Sequence, residues 1–182
     1  MKQSDPAARA EAIAWLAARG GMADQPLLLG RLRDNDDLVR ELAEQALWLL
    51  WSRSGDAGVD RLLAAGIEQM QSARLEEAIA TFSEIIRRKP AFAEGWNKRA
   101  TAYFLAGDYR RSLADCDEVI KRNPYHFGAL SGYGQIYTRL EQYEKAIAWW
   151  RRALQVNPNM EGVEDNIEGA EELLKEKKAR SI

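Results

Sequence analysis

The sequence predicts an all-α protein: a right-handed solenoid of stacked helical hairpins, with helical segments closing both ends. Three observations predict it. Proline recurs every 34 residues, as Pro90, Pro124 and Pro158. Small residues recur in the same register, as Gly66, Ala100 and Gly134 and again as Ala78, Ser112 and Ala146. Larger residues follow it too, in the columns Leu75/Tyr109/Tyr143, Phe82/Cys116/Trp150 and Ile86/Ile120/Leu154. A fixed period of this length marks stacked helix pairs. Three units fit, residues 59–92, 93–126 and 127–160.

Each column has a physical reason. Small residues let the two helices of a hairpin approach closely. The large residue at Phe82, Cys116 and Trp150 fills the space against neighbouring helices. Proline ends each second helix, because it has no N–H and disfavours the helical conformation in the residue before it. One hairpin cannot bury its apolar stripe alone, so the units must stack.

The columns resemble those of the tetratricopeptide repeat (TPR) family. The middle unit shows Trp96, Ala100, Tyr103, Ser112, Cys116 and Pro124. The third shows Leu130, Gly134, Tyr137, Ala146, Trp150 and Pro158, and the first Leu62, Gly66, Gln69, Ala78, Phe82 and Pro90. The resemblance covers a little over half the chain, residues 93–137 look like bacterial members of the family, and a TPR domain is expected at 56–182, including the helix that follows the repeats.

Residues 1–55 are expected to form an N-terminal helical cap. Asp5 and Pro6 suit a helix start and Gly20-Gly21 a stop. The stretch 26–52 resembles one HEAT repeat, with Asp34, Val39 and Arg40 at that family's turn. The run Leu47-Trp48-Leu49-Leu50-Trp51 makes its second helix apolar nearly all round, which predicts burial on both sides. Beyond Pro158, residues 160–178 predict a capping helix with an apolar stripe of Val163, Ile167, Ala170 and Leu174. Its acidic start and basic end suit the helix dipole.

Hydrophobic residues make up 46% and charged residues 30%, which fits a folded chain rather than a disordered one. The net charge of −2 argues against nucleic acid as a partner. The run Ala46–Trp51 is too short to span a membrane. The N-terminus has no signal-like apolar run, so a cytoplasmic location is expected, and a trimmed signal peptide is compatible with it. The lone Cys116 allows no internal disulfide and reads as a small core residue.

No catalytic, cofactor or metal site is expected. His126, the one histidine, reads as a packing or helix-start residue. Gly128, Gly132 and Gly134 imitate a dinucleotide loop but fall inside a helix. Asp115, Asp117 and Glu118 do not converge on one face as a metal site needs. Arg87-Arg88 and Lys121-Arg122 sit where they complement helix C-termini.

The resemblance implies a concave groove lined by first helices, at unit positions 2, 5, 9, 12 and 13. Those are Asp60, Leu63, Ile67, Met70 and Gln71; Glu94, Asn97, Thr101, Phe104 and Leu105; and Gly128, Ser131, Gln135, Thr138 and Arg139. The peptide groove is expected at Leu63, Ile67, Met70, Asn97, Thr101, Phe104, Ser131, Gln135, Thr138 and Arg139, with Asn97 and Gln135 outside the core. Some relatives grip the C-terminal carboxylate of a heat-shock chaperone. The matching positions here are Leu63, Ile67, Lys98, Gly128 and Gly132, a set with one cation, so that activity is not expected. The implied function is a non-catalytic interaction module, adaptor or scaffold, that binds a segment of another protein. The alternative is a self-assembling homo-oligomer using an edge or outer face. Trp149 is a candidate outer contact, because its column otherwise holds the polar Thr81 and Asp115, read as solvated. It either meets a partner or packs on the capping helix.

Overall fold

A computed structural model describes residues 5–180. Among them are ten α-helices and no strand: α1 (Pro6–Arg19), α2 (Gln25–Arg31), α3 (Asp37–Ser52), α4 (Ala57–Gln71), α5 (Leu75–Arg88), α6 (Ala93–Leu105), α7 (Tyr109–Arg122), α8 (Phe127–Arg139), α9 (Tyr143–Val156) and α10 (Val163–Ala179). A single 3-10 turn, Met22–Asp24, precedes α2. No helix among the described residues is long and apolar enough to cross a membrane.

The chain forms two compact units. One comprises residues 5–54 with Asn157–Asn159, the other Gly55–Val156 with residues 160–180. In the first, Asp5 caps α1 by accepting from Ala7 N–H, and Asp36 caps α3 by accepting from Val39 N–H. Arg9 and Asp34 form a buried ion pair at 2.7 Å. Arg40 donates to the Asp34 carbonyl oxygen at 2.9 Å, so two of the three residues singled out at the turn help to fix it. The core side of α3 is Val39, Ala43, Ala46, Leu47, Leu50 and Trp51. The expectation that α3 is covered on both sides is corrected: Leu38 and Leu49 are more than half exposed. The leucines are spread around the helix, but only one side of it is packed.

In the second unit, α4–α9 form three hairpins and α10 packs on α9. Each hairpin turns through the same device. Ala73, Gly107 and Glu141, again spaced 34 apart, take positive φ of 57°, 78° and 55°. The next N–H, of Arg74, Asp108 and Gln142, reaches back to the carbonyls of Gln69, Tyr103 and Tyr137. This closes the first helix with a left-handed residue. The second helices end at Arg88, Arg122 and Val156, two residues before each proline.

The small and large columns meet face to face. A Cβ on Gly66 would come within 2.4 Å of the Phe82 ring, and one on Gly134 within 2.4 Å of Trp150. In the middle hairpin the smaller Cys116 leaves room for Ala100, and both lie in one cluster with Tyr133 and Ile136. The large residue therefore sets whether its partner column takes Gly or Ala. Burial pushes the Cys116 thiol up to about 12, as a core thiol requires.

Candidate groove on the first helices

Positions 5, 9, 12 and 13 of the inferred groove divide sharply along the helices α4, α6 and α8, while position 2 is half-buried at Asp60 and Gly128 and buried at Glu94. Position 5 is buried in every hairpin, at Leu63, Asn97 and Ser131. Positions 9, 12 and 13 stay at least partly accessible in all three. Thr101, Gln135 and Arg139 are exposed; Ile67, Met70, Phe104 and Thr138 are half-buried. The open surface thus lies on the C-terminal halves of the first helices.

Three expectations about the closed halves need correction, since Leu63, Asn97 and Ser131 were all expected to line the groove. Leu63 is a core residue, clustered with Val59, Ala78, Phe82, Ile85, Phe92 and Ala102. Asn97 was expected outside the core but is 8% exposed, and its Nδ2 donates to Glu94 Oε2 at 3.1 Å. Glu94 explains this. Its carboxylate has no solvent exposure and gathers the donors around it. Lys98 Nζ lies 3.1 Å from Oε1. His126 Nδ1 accepts from Ala129 N–H at 3.1 Å, so the ring proton sits on Nε2, which donates to Glu94 Oε2 at 3.0 Å. Burial alone would raise the Glu94 carboxyl, but the His126 and Lys98 donors hold it below the usual carboxylate range. His126 therefore starts α8 as its N-cap and ties that start to α6. The sequence offered one signal for this cluster, an acidic residue three and four positions before Asn97 and Lys98, with no means of placing His126 beside it.

The open positions have a consistent chemistry. Thr101 and Thr138 donate their hydroxyl protons to carbonyls four residues earlier, those of Asn97 and Gly134. Their oxygens keep free lone pairs, so they face the groove as acceptors. Gln135 offers a donor and an acceptor, and Arg139 offers donors. Ile67 and Met70 pack their inner edges on the first hairpin's core, and Phe104 packs on Tyr109. The surface runs from an apolar end on α4 to a polar, positive end on α8.

Trp149 is half-buried, but it does not pack on α10. Its ring stacks on Tyr133 of α8, centroids 4.0 Å apart and planes 10° from parallel, with the Arg152 guanidinium over the ring at 5.0 Å. Its column faces the first helix of its own hairpin: Thr81 bonds Gln69 at 2.8 Å, and Asp115 holds Arg99 through two bonds of 2.7 and 2.8 Å. Asp115 is consequently buried rather than solvated, a second correction to that column.

Repeated hairpins with this column chemistry define a helical-repeat interaction fold. The tetratricopeptide repeat family model matches residues 63–125 and 98–161, and the chain belongs to that family. It is 35% identical over 130 residues to a TPR repeat-containing protein of Rhizobium etli, covering 71% of this chain and 63% of that one. It is 27% identical over 142 residues to the Hsp70-Hsp90 organizing protein of Triticum aestivum, covering 78% of this chain and 23% of that protein. The chain thus spans less than two thirds of these relatives. Among solved structures, the first TPR of Spaghetti (RPAP3) bound to the HSP90 peptide SRMEEVD superposes with a TM-score of 0.62 at 21% identity, covering 64% of this chain and 93% of that one. The TPR2B domain of yeast Sti1 in complex with an Hsp70 peptide gives 0.61 at 20% identity, covering 64% and 98%. At these identities the superpositions show the shared fold.

Proposed function

We propose that this chain is a non-catalytic interaction module that holds a segment of a partner protein against the C-terminal halves of α4, α6 and α8. The observation that carries the reading is the in-register opening of positions 9, 12 and 13 in all three hairpins while position 5 is closed. An extended segment laid across three parallel helices meets apolar contacts at Ile67, Met70 and Phe104, then hydrogen-bonding groups at Thr101, Gln135, Thr138 and Arg139. RPAP3 and Sti1 bind chaperone peptides, as their structures state. This chain is not suited to the acidic terminus. Leu63, Ile67, Gly128 and Gly132 stand where such a peptide needs donors, and Lys98 is already committed to Glu94. A carboxylate placed there would lose its water without gaining paired donors. The preferred segment is internal, with apolar side chains at one end.

Selection from a displayed peptide library tests this. Enriched peptides are expected to carry apolar anchors, to lose binding to Thr101→Arg and Gln135→Arg, and to outcompete SRMEEVD. Enriched peptides that bind both variants unchanged would place the site elsewhere. Tight binding of SRMEEVD would overturn the exclusion of acidic termini.

A further inference from the structure

The N-terminal unit carries an apolar surface that the repeat groove does not use. Helices α1 and α3 lie side by side and run parallel. Arg9, near the start of α1, pairs with Asp34, just before α3. Arg53, just past the end of α3, donates to the carbonyls of Ala17, Ala18 and Gly20 at the end of α1. Between the two helices runs an open cleft of about 300 Å³, lined by Ala14, Ala17, Ala18, Ala46, Leu42 and Leu49. Leu38 and Leu49 are 57% and 55% exposed. Leu38, Leu42, Gln45 and Leu49 follow helical spacing and form one stripe along α3. Scattered exposed leucines are ordinary, but a stripe beside an alanine-lined hollow is a contact surface.

We propose that the α1/α3 face takes a second copy of this chain, packed antiparallel about a two-fold axis. Two features select a second copy. First, the face carries both halves of one packing arrangement. Leu38 and Leu49 project, and the alanine-lined cleft beside Leu49 is a hollow open to an apolar side chain. A two-fold axis lets the same patch act as both partners. Second, charge is polarised along the face. Glu11 and Glu41 stand on its early turns, and the Arg53 guanidinium stands at its far end. Because α1 and α3 are parallel, their polarities add. An antiparallel copy sets each acidic end against a basic end, whereas a parallel copy opposes like charges. The helices have 14 and 16 residues, or roughly 21 and 24 Å. Such a face falls at the small end of specific interfaces, so the dimer is expected to dissociate in the micromolar range, at about 10–100 µM.

Sedimentation of the whole chain from about 1 to 300 µM tests this against that range. Wild type is expected to pass from monomer to dimer. Leu38→Glu/Leu49→Glu is expected to stay monomeric throughout, with unchanged helicity and melting temperature, because both side chains project into solvent. Ala14→Trp, which plugs the hollow without adding charge, is expected to do the same. Gln135→Arg, which tests the repeat groove, is expected to dimerise normally, so failure of one proposal is distinguishable from failure of the other. Raising salt from about 50 to 500 mM is expected to weaken the dimer, since exposed charge pairs are screened. A chain that is monomeric throughout, or a dimer untouched by both α1/α3 variants, overturns the proposal. A salt-insensitive dimer overturns the antiparallel arrangement.

Discussion

The two halves of the first helices differ although they belong to one face of one repeat. The N-terminal halves of α4, α6 and α8 are closed at position 5, by the core in Leu63 and by a polar cluster around Glu94 in Asn97. The C-terminal halves stay open at Thr101, Gln135 and Arg139. A shared repeat position therefore does not confer a shared environment. In the middle hairpin the deciding element is one carboxylate: once Glu94 is buried, it recruits Asn97, Lys98 and His126, and none of these is left for a ligand.

The largest effect is expected where the closed half is broken. Glu94→Ala leaves the buried donors of His126 and Asn97, and the half-buried Lys98, without their acceptor and is expected to cost about 3–5 kcal/mol, read from denaturant unfolding. The same group gives a pH dependence with a definite sign. Its carboxyl titrates below its ordinary value of 4.5 in the folded chain. The stability it supplies is therefore complete above that value and is lost as pH falls through the folded value. Melting temperatures followed from neutral pH into acid should fall less steeply in Glu94→Gln than in wild type; equal slopes would show that the carboxylate does not titrate differently on folding.

Gly134→Ala probes the boundary between the halves, at position 8. Its Cβ would meet the buried Trp150 ring at 2.4 Å, and a loss of about 1–3 kcal/mol is expected. Gly134→Ala combined with Trp150→Leu should recover part of it, as the Ala100 and Cys116 pairing suggests. Asn97→Ala and Gln135→Ala compare the halves directly. The first is expected to cost about 1–2 kcal/mol through the lost bond to Glu94. The second should lie within about 0.5 kcal/mol of wild type and act on peptide binding instead. Equal stability losses would erase the distinction. The smallest effect is expected at the turns. Ala73→Gly and Glu141→Gly relieve left-handed backbone at φ of 57° and 55° and should each gain roughly 1 kcal/mol or less, because glycine pays no Cβ penalty there.

The sequence by itself determined the hairpins, their number and their period. Proline at 90, 124 and 158 and the small columns act through local backbone rules and contacts repeated in every unit, so one chain displays the evidence three times. The expectation that a chaperone tail lacks its donors also came from the sequence, through the family resemblance that names the five positions. The positive-φ column was only half legible, because Gly107 advertises it while Ala73 and Glu141 conceal it. What only the tertiary structure decided lies outside the repeat's own logic. His126 meets Glu94 across 32 residues, half-buried Trp149 stacks on Tyr133, and the leucines of α3 are left half uncovered. Each of these depends on which neighbouring helix supplies a donor, a ring or nothing at all. Residue spacing fixes the face a side chain leaves from, while burial is fixed by what stands opposite.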